Sequence, residues 1–372
     1  MRRIISIVIL LFAGLMLYAC SSSNKLVLRV QEHKRLSQPL APPLDYKRIT
    51  NVGDVGYKIK LVSDGRYLYV GNLDGEIYRI DPKKENKKEI IDLNQPIEDA
   101  LAIDGTYIYV GTNRGVLFKI NLKTGKVVEK RHFPFPILGE IYVRDGKIYL
   151  FDENDVIYCL NKSNLSTIWK YLHGMYNILD IRGVSGIDFG KDGIYVGFDD
   201  GSVDKISYKG DQIWEAQAGK GNMFVDSDST PVVSGNIVYI TSVKGFTEAI
   251  NAVNGEPLWK RRISSYSNME LNIFGLFLAD NDGNVYCLDN SNGETIWKVK
   301  LTEKGNVYAI KLVGSVLYAM TENGKLIALD ALTGKVMDIL NIDDPFSCKM
   351  TLCCNRLFVV ARNGSVYSIY SK

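Results

Sequence analysis

Asp104-Gly105-Thr106-Tyr107-Ile108-Tyr109-Val110-Gly111-Thr112-Asn113-Arg114-Gly115-Val116-Leu117-Phe118-Lys119-Ile120-Asn121 is the stretch that decides the fold. Two apolar runs, one around Tyr109 and one around Leu117, flank a turn centred on Gly115. The same phrase recurs eight times, with its central position at Gly75, Gly115, Asp155, Gly201, Gly245, Gly283, Gly324 and Gly364. The intervals are 40, 40, 46, 44, 38, 41 and 40 residues. A period of this length, built from alternating apolar residues and turn glycines, marks a β-propeller, in which small sheets stack around an axis. The expectation is an all-β, eight-bladed propeller of four-stranded antiparallel blades.

The fifth repeat shows the strands in order. Ser229-Thr230-Pro231-Val232-Val233 reads as an inner strand, followed by Asn236 to Val243, Phe246 to Ala252 and an outer strand around Leu258-Trp259-Lys260. Each strand alternates as a two-faced sheet requires. All four tryptophans, Trp169, Trp214, Trp259 and Trp297, fall at one position of the outer strand, where they would wedge between blades. The eighth repeat ends at Val366-Tyr367-Ser368-Ile369-Tyr370 without an outer strand. Open edges are a liability, so Tyr46 to Val52 is expected to supply that strand and close the ring. Deleting it should cost far more stability than deleting residues 21–44.

The chain carries Lys+Arg 45 against Asp+Glu 42, and without Arg2 and Arg3 the balance is 43 to 42. So even a balance gives no sign of a nucleic-acid partner. The first residues read as an address. Arg2 and Arg3 precede an apolar run from Ile4 to Leu17, shorter than the ~20 residues a membrane helix needs. The run ends at Leu17-Tyr18-Ala19-Cys20, which resembles a bacterial lipobox despite the bulky Tyr18. That resemblance implies a signal peptide over 1–19, acylation of Cys20 and a membrane anchor. Ser21 after the cysteine points to the outer membrane. Residues 20–45, with Pro39, Pro42 and Pro43, read as a lipidated tether reaching at most roughly 80 Å, and 46–372 as the propeller.

Catalytic signals are weak. His33, His132 and His173 are not spaced with Cys, Asp or Glu as metal ligands would be, and no phosphate loop or nucleophile elbow occurs. Asp74, Asp199, Asp200, Asp280 and Asp282 sit beside turn glycines, where turn chemistry accounts for them. Cys159 and Cys287 occupy the same place in repeats three and six and read as buried thiols. Cys348, Cys353 and Cys354 share one expected hairpin, and whether they form a local disulfide stays open. No cofactor, metal or catalytic residue is expected.

Two resemblances bear on function. Asn292-Gly293-Glu294-Thr295-Ile296-Trp297 and Leu329-Asp330-Ala331-Leu332-Thr333-Gly334-Lys335 resemble the repeat of quinoprotein dehydrogenases, which would make the chain a periplasmic enzyme binding pyrroloquinoline quinone. The long insertions that build those active sites are missing here. With its lipobox, short tether and eight repeats, the chain more closely resembles the BamB family, lipoproteins of the outer-membrane β-barrel assembly machine. Leu179-Asp180-Ile181-Arg182-Gly183 is similar to that family's Leu-Ser-Leu-Arg-Gly, and Asp226-Ser227-Asp228-Ser229-Thr230-Pro231 to its Asp-Val-Asp-Thr-Thr-Pro. The resemblance implies a non-enzymatic scaffold on the periplasmic face of the outer membrane. It also implies that Leu179, Ile181, Arg182, Asp226 and Asp228 contact the POTRA domains of the barrel-forming subunit, BamA. Unfolded outer-membrane proteins are a second conceivable partner, by addition to blade edges. The runner-up readings are the quinoprotein enzyme and a propeller that binds another periplasmic ligand. Arg182 and Asp226 are 44 residues apart, the interval from Gly201 to Gly245. They therefore occupy equivalent loops of blades four and five, on one end of the ring. A salt bridge of Arg182 with Asp226 or Asp228 would account for those charges structurally, but not for an exposed Leu179.

Overall fold

The computed structural model describes residues 40–372 apart from 57–58, 174–185, 199–200, 218–228, 244, 266, 304, 343 and 347–348. Among the described residues, thirty-two strands form eight separate four-stranded antiparallel sheets. Blade one runs from Val62 to Asp92, blade two from Leu101 to His132, blade three from Tyr142 to Leu172 and blade four from Ile187 to Gln217. Blade five runs from Val232 to Arg261, blade six from Glu270 to Lys300 and blade seven from Val307 to Asn341. Blade eight joins Thr351–Cys353, Arg356–Val360 and Ser365–Ser371 to the N-terminal strand Leu44–Asn51.

The order of packing makes these sheets a ring. Each apolar cluster spans neighbouring blades, in the sequence one–two, two–three, three–four, four–five, five–six and six–seven. A last cluster joins seven, eight and one. The core is thus a circuit of blade interfaces, each built by the middle strands whose side chains are buried on both faces.

The tryptophans wedge as their position predicts. The indole N–H of Trp169 donates to Tyr208 O at 3.1 Å, that of Trp214 to Ala252 O at 3.2 Å, that of Trp259 to Asn290 O at 3.1 Å and that of Trp297 to Ala331 O at 3.0 Å. Every acceptor belongs to the following blade. Beneath each indole lies a turn glycine of that blade. At Gly293, with φ +72°, an added Cβ would come within 2.5 Å of Trp259 Cε3. One large side chain, one hydrogen bond and one missing methyl thus recur at four successive interfaces.

The closing strand pairs with Ser365–Ser371 from Leu44↔Ser371 to Asn51↔Ser365. It begins two residues ahead of Tyr46 because Leu44 is itself a core side chain, and Leu40 before it is buried too. Core contacts are thus already made by Leu40 and Leu44, ahead of the expected propeller start at residue 46. Tyr318 Oη donates to Leu40 O at 2.9 Å and Lys372 N to Pro43 O at 2.9 Å. Deleting 21–44 would strip core contacts as well as tether.

Candidate docking site

Two long connections leave blades three and four and enter the inner strands Ile187–Phe189 and Val232–Ser234 of blades four and five. They contain every residue expected to meet a partner. Leu179, Ile181, Arg182, Asp226 and Asp228 lie outside the described residues, as do Cys20 and Cys348. What the structure does place is the ground on which both connections stand.

Their exits meet. A Cβ added at Gly186 would lie 2.0 Å from Thr230 Oγ1 and 2.6 Å from Tyr142 Oη. Only glycine allows that approach. Ile187 N donates to Tyr142 Oη at 3.1 Å, and Val233 N donates to Asp188 Oδ2 at 2.8 Å. The C-terminal ends of the two equivalent connections are therefore brought together by contacts of backbone with side chains from blades three, four and five.

The floor beside them is polar where the repeat predicts an aromatic ring. Three residues after the central turn stand Tyr78, Phe118, Tyr158, Tyr286 and Tyr367, and Ile327 in blade seven. In blades four and five the same position holds Asp204 and Glu248, both buried. Isolated carboxylates would be expensive there, and each is paired, although among the described residues Asp204 Oδ1 is buried without a hydrogen-bond partner. Asp204 Oδ2 accepts from Tyr171 Oη at 2.5 Å and from His173 Nδ1 at 2.8 Å. His173 Nε2 lies 2.9 Å from Ser202 Oγ, and its ring stacks on Phe198 at 4.0 Å between centroids. Burial and the hydrogen bond to Asp204 push the Tyr171 phenol well above its usual range. Glu248 is raised by burial, against the pull of its ion pair with Lys260, whose ammonium sits 4.2 Å from the Phe246 ring centroid.

His173 is the last described residue before the 174–185 connection. The relay Tyr171–Asp204–His173–Ser202 thus pins the place where that connection departs, as the Gly186–Thr230 approach pins its return. Donor atoms of His173, Asp204 and Glu215 lie within 4.8 Å of one another, a spacing that could hold a metal ion. His173 Nδ1 and Asp204 Oδ2 are, however, engaged with each other and with Tyr171, and Glu215 is exposed. The group reads as a hydrogen-bond relay. Sequence spacing did not reveal it, because His173 and Asp204 are joined only by the contact of blade three's outer strand with blade four. The readable signal was the carboxylate in an aromatic position.

Fold and repeat together define this chain as an eight-bladed propeller of the quinoprotein-like type. A family model described as outer membrane protein assembly factor BamB matches residues 88–299 and 281–371. The chain belongs to the BamB family. It is 27% identical over 178 residues to the BamB of Legionella pneumophila, covering 46% of each chain. It is 25% identical over 234 residues to that of Yersinia pestis, covering 61% of this chain and 59% of that one. These alignments thus span about half the length of the curated relatives. Among solved structures, BamB from Moraxella catarrhalis superposes with a TM-score of 0.77 at 16% identity, covering 88% of this chain and 100% of that one. A quinohemoprotein alcohol dehydrogenase from Comamonas testosteroni reaches 0.70 at 13% identity, covering 88% and 76%. At such identities these likenesses carry the fold alone, and a fold does not carry an activity.

Proposed function

We propose that the chain is a non-enzymatic scaffold of outer-membrane protein assembly, anchored through an acylated Cys20 to the periplasmic face of the outer membrane. It docks on the POTRA domains of a BamA-like barrel subunit through Leu179, Ile181, Arg182, Asp226 and Asp228. The observation that carries this reading is the meeting of two loop exits at Gly186 and Thr230 in a chain of this family. Two loops held at one point present a joint surface, and a rigid ring beneath them keeps ordering costs on binding low. Apolar Leu179 and Ile181 flanked by a guanidinium and carboxylates have the composition of a small hot spot.

The test is a titration of residues 21–372 with the POTRA domains of the same organism's barrel subunit. Binding is expected, weakened about tenfold or more in Leu179→Ala, Arg182→Ala and Asp226→Ala, with each variant's unfolding midpoint retained. Undiminished affinity in all three moves the site elsewhere on the ring. Absence of wild-type binding overturns the reading. For the anchor, Cys20→Ala should leave the membrane fraction of lysates that lack the barrel subunit.

A further inference from the structure

Neighbouring residues of a regular strand point to opposite faces of the sheet, so consecutive cysteines ordinarily hold their sulfurs apart. Cys353 and Cys354 escape that rule. Cys353 ends the inner strand of blade eight, opposite Arg356. Cys354 and Asn355 form the two-residue turn with φ of +52° and +62°, the left-handed pair that a tight hairpin demands. That twist swings Cys354 back toward its neighbour and leaves the two Sγ atoms 2.9 Å apart. Both are free thiols, Cys353 buried and Cys354 exposed. They face the corresponding turn of blade one, at the seam where the ring closes. Ser63 Oγ donates to Cys353 Sγ at 3.1 Å, and Cys354 Sγ lies 3.6 Å from Gly65 O.

We propose that Cys353 and Cys354 form a reversible disulfide within this turn, which makes the blade eight–blade one corner a redox modification site. The oxidant is another disulfide, carried by an oxidoreductase or a small molecule. Cys354 gives its proton to solvent, and its thiolate attacks one sulfur of the oxidant. The oxidant's S–S bond breaks, one thiolate leaves, and a mixed disulfide remains on Cys354. Cys353 then loses its proton and attacks Cys354 Sγ. The mixed bond breaks, the second thiolate leaves, and the Cys353–Cys354 bond forms. Two electrons have passed to the oxidant, and the two protons balance the two thiolates released. Exposure makes Cys354 the first nucleophile. Burial pushes the Cys353 thiol up to about 12, so closure is the slower step. Oxidation also removes the S–H that Cys354 directs at Gly65 O, so blade one's turn senses the change.

The probe is oxidised glutathione, added to the full chain, followed by alkylation with iodoacetamide before denaturation, then trypsin and mass spectrometry. Cleavage after Lys349 and Arg356 isolates Met350–Arg356, which holds both cysteines and excludes Cys348. That peptide should be two hydrogens lighter, free of alkyl groups, and restored by dithiothreitol. Cys353→Ser should stop at one glutathione on Cys354. A wild-type peptide that carries an alkyl group on either cysteine, or that retains glutathione, would overturn the proposal. So would a crosslink to the Cys348 peptide, or a Cys353→Ser chain that carries no glutathione.

Discussion

The repeat is broken at two places four blades apart, and the two breaks are mended by different physics. At the seam of blades eight and one, a strand from the far end of the chain fills the gap with apolar side chains and ladder hydrogen bonds. At blades four and five, the gap left by missing aromatic rings is filled by buried carboxylates and the groups that pair with them. Apolar burial is non-directional and stabilises roughly in proportion to area. Buried ionic groups are seldom a net gain over apolar ones of similar size. The seam is thus where stability is decided. The polar floor must owe its presence to something else, and the loops it anchors are what the proposed function needs.

The seam side of this contrast predicts the largest effect. Removing residues 40–51 takes out Leu40, Leu44 and Ile49, each worth about 1.5–3 kcal/mol when buried, and reopens the Ser365–Ser371 edge. The sum approaches the whole stability of an ordinary domain, so the shortened chain should lose its cooperative urea transition. Removing only 21–39 should leave that transition where it was. Equal behaviour of the two truncations would erase the distinction.

Between the two breaks, the tryptophan wedges test whether the regular interfaces resemble the seam. Trp259→Ala should cost about 3–5 kcal/mol, read from the urea midpoint, because Gly293 leaves no side chain to fill the void beneath it. A cost below about 1 kcal/mol would mean that blades five and six rest on something other than the wedge.

Nearer the axis, Glu140 stands just ahead of blade three's inner strand and pairs with Lys60 at 3.1 Å and with Lys349, so one carboxylate ties blades three, one and eight together. Burial alone would raise its carboxyl, but Lys349 and Lys60 hold it well below the usual range. A depressed folded value means the ionised pair contributes above the unfolded pKa of about 4.3. That contribution fades as pH falls through the folded value. Glu140→Gln should therefore lose about 2 kcal/mol at pH 7, discounted for the partly exposed lysines. The gap to wild type should narrow below about pH 4. A gap that widened in acid would reverse the sign of the assignment.

The fold was legible because the repeat carries it. Eight turn positions, four tryptophans and a missing outer strand each fixed a piece of the ring, and each is a local pattern. The strand start at Leu44 was hidden by flanking prolines that read as tether, while the burial of Leu40 and Leu44 comes from blades seven and eight, far along the chain. The His173–Asp204 contact was hidden for a related reason. It depends on how blade three's outer strand faces blade four, which no spacing within one blade encodes. The residues proposed for partner contact come from resemblance to a family motif, since loops follow no period.

The polar floor yields the smallest predicted stability change, and with it the sharpest test of the contrast. Asp204→Asn preserves shape and keeps one carbonyl oxygen for Tyr171 Oη or the His173 N–H, but removes the charge that draws both to a single atom. About 1 kcal/mol should be lost, far less than at the seam. Affinity for POTRA domains should nonetheless fall several-fold, because the departure point of the 174–185 connection is no longer pinned. Tyr171→Phe should act in the same direction and less strongly, since Asp204 keeps its bond to His173. If both variants bound like wild type while Leu179→Ala did not, the loops would hold their shape without the relay. The buried carboxylates would then belong to the architecture of blades four and five, and the two breaks would differ only in how they are filled.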